Sequence, residues 1–150
     1  MNHLTDFKIA LAAACATLSA LWGWVGWLIV AWIVLMGIDY VTGSAAALRS
    51  GTWSSSVARE GLWHKSGSMF AVVMAGILDL TIQLLLTNAG IDCPVKAALL
   101  PLCTVWYLLT EAGSILENVG AMGAPLPVFL VNAIKVLRDK VDDAGEDVTQ

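Results

Sequence analysis

The sequence predicts an all-α integral membrane protein with three transmembrane helices, a short N-terminal hydrophobic helix that is a candidate fourth span, and a C-terminal amphipathic surface helix. Three observations lead there. Of the 150 residues, 58% are hydrophobic and 13% charged, with a mean hydropathy of +0.76, whereas soluble domains carry about 25% charged residues. Val25 to Ile38 holds no charge, and Val25 to Leu48, at about 1.5 Å per residue, crosses a hydrocarbon layer of roughly 30 Å. Glycine, proline and asparagine then divide the remainder into apolar runs of helical length.

Residues 1–21 form the N-terminal segment. After a polar start, Ile9 to Leu21 is rich in alanine and shorter than a comfortable span, which suits a helix lying against the membrane. A cleaved signal peptide is the rival reading, with Lys8 as its basic flank, but Asp6 also sits in that flank. A third reading makes the run a tight hairpin partner of the next helix. The first span covers 22–48. It opens on Trp22, Trp24 and Trp27 interleaved with Gly23 and Gly26, an arrangement that anchors a helix at headgroup level.

The connector, 49–66, contains a turn signal at Gly51 and a choice of N-cap serines from Ser54 to Ser56. Val57 to His64, followed by Lys65, reads as a short surface helix, with His64 and Lys65 as a solvated flank. The second span is 67–86 and the outer turn 87–94, where Pro94 suits the first position of the next helix. The third span, 95–117, precedes a Gly/Pro hinge at 118–126 that cannot continue a regular helix. In 127–141, Phe129, Leu130, Ala133, Ile134, Leu137 and Val141 share one face, the pattern of an amphipathic helix. The tail, 142–150, is acidic and expected to be irregular.

Basic residues set the expected orientation. Arg49, Arg59 and Lys65 follow the first span, Lys135, Arg138 and Lys140 follow the third, and only Lys96 borders the turn between the second and third. Three spans put both basic segments on one side, which the positive-inside rule makes cytoplasmic, the C-terminus included. The net charge of −4 is concentrated in the tail and argues against a nucleic-acid partner.

The residues that invite a functional reading are acids in or near the spans: Asp39, Asp79, Glu111 and Glu117. Ionisable groups at bilayer depth are costly and face protein or water, so Asp39, Asp79 and Glu111 are expected at helix contacts or a wet lumen, and Glu117 either at the membrane interface or in a packing and assembly role. Gly43 lies four residues after Asp39, where its small size admits another helix. Ser114 and Asn118 share the face of Glu111. Gly37 and Gly113 are further candidates for close approach. Cys15, Cys93 and Cys103 show neither paired spacing nor neighbouring histidines and read as small apolar residues. With no nucleophile, histidine and acid arrangement, metalloprotease motif or phosphate loop, no catalytic, cofactor-binding or metal site is expected.

Ile38-Asp39-Tyr40-Val41-Thr42-Gly43, the connector with Gly51 and Ser54 to Ser56, and the run from Glu111-Ala112-Gly113-Ser114 through Glu117-Asn118-Val119-Gly120 to Pro125-Leu126-Pro127 resemble the toxin secretion/phage lysis holin family over about residues 25 to 140. The resemblance implies a protein of the bacterial cytoplasmic membrane that forms large homo-oligomers in the lipid bilayer and opens lesions through which an endolysin or toxin leaves the cell. Two features depart from the family pattern: this connector is poorer in lysine, and the tail carries Asp142, Asp143, Glu146 and Asp147 where family tails are often basic. A small ion channel or proton-coupled carrier, and an antiholin or membrane scaffold, are the alternative functions.

Overall fold

The computed structural model describes residues 3–91 and 98–149; Asp92, Cys93 and Pro94 of the outer turn, and 95–97 at the expected start of the third span, lie outside them. Five helices and no strand occur among the described residues: α1 (His3–Trp22), α2 (Trp24–Ser50), α3 (Ser55–Ala89), α4 (Leu99–Ala121) and α5 (Val128–Thr149). By length and composition α2, α3 and α4 are able to cross a membrane, whereas α1 is not among the helices that qualify.

The helix ends follow local chemistry. Gly51 takes the left-handed conformation, with φ of 71°. Its N–H bonds to the Leu48 carbonyl at 3.2 Å while that of Thr52 bonds to Ala47 at 3.0 Å, a paired closure that a residue without Cβ allows at little cost. Two residues of connector remain before Ser54, whose hydroxyl accepts the Val57 N–H at 3.2 Å and starts α3. The surface helix expected at 57–64 is therefore continuous with the second span. At 35 residues α3 extends roughly 52 Å, so part of it projects beyond a bilayer. Gly90, with φ of 67°, ends it as Gly51 ends α2.

α4 is the centre of the packing. It contacts α2, α3 and α5, while α2 and α3 barely touch and α1 lies on α2. α2 runs parallel to α4: Trp32 stacks near Tyr107 at 6.0 Å between rings, and Asp39 meets Asn118 further along. α3 runs antiparallel to α4, since Gly76 meets Leu100 and Lys65 meets Glu111. The core is a thin apolar seam of Val25, Trp32, Met36, Val72 and Leu100, flanked by Cys103, Tyr107 and Leu108. Most large apolar side chains of α3 instead point outward, Phe70, Met74, Ile77 and Leu84 among them. Exposed apolar surface on this scale fits contact with lipid or with other chains.

After the hinge, α5 folds back antiparallel to α4. Leu126 sits beside Gly120, Ile134 beside Gly113, and Asp142 beside Trp106. Here the structure departs from the expected irregular tail, because α5 continues through 142–149. Trp106 explains part of this continuation. Its indole N–H donates to Asp142 at 2.7 Å, and the Arg138 guanidinium lies 4.7 Å above its ring, a favourable cation–aromatic arrangement.

Candidate functional site

One polar cluster joins all three candidate spans. The Lys65 ammonium, on α3, donates to Asp39 of α2 at 2.8 Å and to Glu111 of α4. Asn118, two turns beyond Glu111 on α4, donates its side-chain N–H to the other Asp39 oxygen at 2.9 Å and contacts Thr42 at 3.3 Å. Side-chain exposure is 14% for Lys65 and Asp39 and 9% for Glu111, so these charges are largely withdrawn from solvent. Lys65 lies two residues before the expected second span. That register places the cluster toward one end of the bundle rather than at its middle.

Gly43 makes the approach of α4 to α2 possible. A Cβ there would stand 3.3 Å from the Asn118 amide nitrogen, so a larger residue pushes on the group that orients Asp39. The cluster has one cation for two carboxylates, formally an excess negative charge. It is bordered by two recesses, one of about 240 Å3 reaching Ser44, Trp53 and Ala58 and one of about 370 Å3 reaching His64, Ser68 and Thr110. Asp39, Lys65 and Ser114 line both, so the charged groups stand where two largely apolar spaces adjoin. This arrangement can hold water or a small ion and can move a proton between carboxylates. Among the described residues no group of three or more His, Cys, Asp or Glu is placed to hold a metal ion.

Asp79 stands apart. Buried on α3 at 6% exposure, it accepts the Leu99 N–H at 3.1 Å and the Leu100 N–H at 2.8 Å. It thus caps the first turn of α4, a helix whose own preceding residue, Ala98, supplies no side-chain cap. A carboxylate is well suited there, since free N–H groups and the positive end of the helix dipole converge.

The other expected positions divide. Ser114 and Asn118 are half-buried at the cluster, while Glu117 is exposed and lines a separate space between α4 and α5 with Lys135 and Arg138. Gly113 admits Ile134 of α5, and Gly37 has nothing within 4 Å, so it makes no close approach within one chain. Trp24 and Trp27 are exposed, as membrane anchors need to be; the side chains of Trp22 and Cys15 lie outside the described residues. Sequence reasoning missed Lys65 as a site residue. The available signal was charge balance: it is the basic residue next to the start of the second span, while the first and third spans carry acids at the same end.

A family model described as the bacteriophage holin family matches residues 16–139. An uncharacterized protein of Halalkalibacterium halodurans is 34% identical over 131 residues, covering 87% of this chain and 93% of the relative. One of Clostridium perfringens strain 13 is 31% identical over 112 residues, covering 75% and 76%. A third, described as an uncharacterized 14.9 kDa protein in the nagH 3' region of Clostridium perfringens, is 29% identical over 121 residues, covering 76% and 84%. No solved structure matches.

Proposed function

Because this chain belongs to the bacteriophage holin family, we propose that it accumulates in the bacterial cytoplasmic membrane, associates into large homo-oligomers and opens lesions that release an endolysin or a toxin. The observation that carries the reading is the Lys65, Asp39 and Glu111 cluster between three apolar helices. It ties the spans into one unit whose polar groups face each other and whose outer faces are apolar. Three helices so joined enclose no passage for a folded enzyme, so release requires many copies.

In this reading the acids act first within the subunit. Asp39 and Glu111 hold α2 and α4 to Lys65, and Asp79 fixes where α4 begins. Ser114 and Asn118, with the charged cluster, supply the polar surface that faces water once copies separate or tilt. Gly37, exposed on α2, is available for contact between copies. The C-terminus is cytoplasmic, by the basic residues around Arg49 and Lys135.

A proton-coupled carrier is the second reading, favoured by charged groups that border two recesses. Inducible expression beside a cytoplasmic wall-degrading enzyme separates the two. A holin gives abrupt lysis and passage of folded protein from loaded vesicles, whereas a carrier collapses ion gradients and retains the protein. An antiholin delays lysis by another holin and causes none itself. Retention of protein cargo at every protein-to-lipid ratio would overturn the proposal.

A further inference from the structure

We propose that α5 is a releasable strap: folded on α4 it shields a face through which a second copy of the chain docks, and its departure opens the subunit for assembly. The proposal rests on the membrane-lesion reading above, and three observations support it. First, two polar contacts between α5 and α4 converge on one side chain: the Trp106 N–H donates to Asp142, and Arg138 lies over the Trp106 ring. Second, the rest of the contact is loosely filled. A space of about 290 Å3 lies between the helices, lined by Leu109, Gly113, Leu116 and Ile134 among others, and a Cβ at Gly113 would meet only Ile134, at 3.9 Å. A face with a glycine between leucines is one that another apolar helix packs closely.

Third, the folded-back position conflicts with a bilayer. Trp106 lies roughly 22 Å before the last residue of α4, Ala121, so Arg138 and Asp142 are carried far along a helix that is apolar enough to span. Lys135, Asp139 and Lys140 travel with them. Hydrocarbon strongly disfavours such charges. Full insertion of α4 therefore pulls α5 away, and α5 on α4 opposes full insertion; the two states exclude each other.

The test uses the full chain with Cys15, Cys93 and Cys103 replaced by alanine and with Gly113→Cys and Ile134→Cys introduced. Oxidation of the detergent-solubilised monomer should join α5 to α4. Reconstituted in phosphatidylethanolamine and phosphatidylglycerol vesicles, donor- and acceptor-labelled oxidised copies should show no energy transfer and no dye release above that of empty vesicles, and reductant should restore both. In the otherwise unaltered chain, Trp106→Phe and Asp142→Ala should each raise association on the order of fivefold, the population change expected from one lost hydrogen bond. Failure of the disulfide to form in the monomer, or equal association in oxidised and reduced chains, would overturn the strap, as would unchanged association in both single variants. If reduction restores association yet neither form passes folded protein, the strap stands and the lesion reading falls.

Discussion

At the scale of single residues, the decisive imbalance is one cation between two carboxylates. Removing a partner from a buried ion pair costs about 3–5 kcal/mol because the charge left behind has no compensation. Lys65→Met leaves Asp39 and Glu111 facing each other and should lose stability at that level in unfolding from detergent or lipid. Glu111→Gln leaves Lys65 and Asp39 as a neutral pair with a donor and acceptor still beside them, and should cost clearly less. The opposite ranking would mean that Glu111, not Lys65, is the group that the other two depend on. Glycines give a second comparison. Alanine favours a helix interior over glycine by about 0.5–1 kcal/mol, a gain open to Gly37→Ala, whose surroundings are empty. Gly43→Ala meets the Asn118 amide and should be the less stable variant of the two, with Asn118→Ala relieving the difference. If Gly37→Ala leaves stability intact yet weakens copy-to-copy energy transfer, the contact at Gly37 is between subunits.

At the scale of elements, α4 depends on a residue of α3 for its first turn. Replacing a capping acid by alanine typically costs about 0.5–2 kcal/mol, so Asp79→Ala should fray α4 from Leu99 onward, seen as faster amide exchange at Leu99 and Leu100. Asp79→Asn keeps an acceptor and should preserve part of the protection. No change in either variant would mean that packing of Leu100 and Thr104 alone starts the helix. This cap also shows what sequence reading could and could not reach. The three spans were legible because hydropathy and length are local properties, and Glu111, Ser114 and Asn118 were legible as one face because helical spacing is local too. The use of Asp79 depends on which backbone amides a neighbouring helix brings to it, which no spacing within α3 encodes. Lys65 was hidden for a related reason: a lysine at the edge of a span ordinarily extends toward headgroups, and only the approach of α2 and α4 turns it inward. The continuity of α3 was obscured because polar residues from Arg59 to Lys65 resemble a separate surface helix when taken alone.

At the scale of the whole molecule, the distribution of basic charge ought to control which way the bundle enters the membrane. Arg49 and Arg59 flank the α2–α3 connector and Lys135, Arg138 and Lys140 lie on α5, so both segments favour the same side. The apolar exterior is indifferent to direction, and the cluster of Lys65, Asp39 and Glu111 joins the three spans whichever way they face. Orientation therefore rests on a small excess of basic residues, which a few substitutions can offset. Thr87 and Asn88 are exposed near the end of α3, so lysine is accommodated there without disturbing the core. Thr87→Lys with Asn88→Lys should trap α3 on the basic side in a fraction of chains, splitting the population between two topologies. Labelling of single cysteines at Thr52 and near the C-terminus in intact cells would read this as partial exposure of segments shielded in the parent. If the chain forms lesions as proposed, from copies that share one orientation, the mixed population should also lyse later than the parent. Normal timing despite mixed labelling would show that inverted copies are tolerated in the assembly and that orientation does not limit its growth.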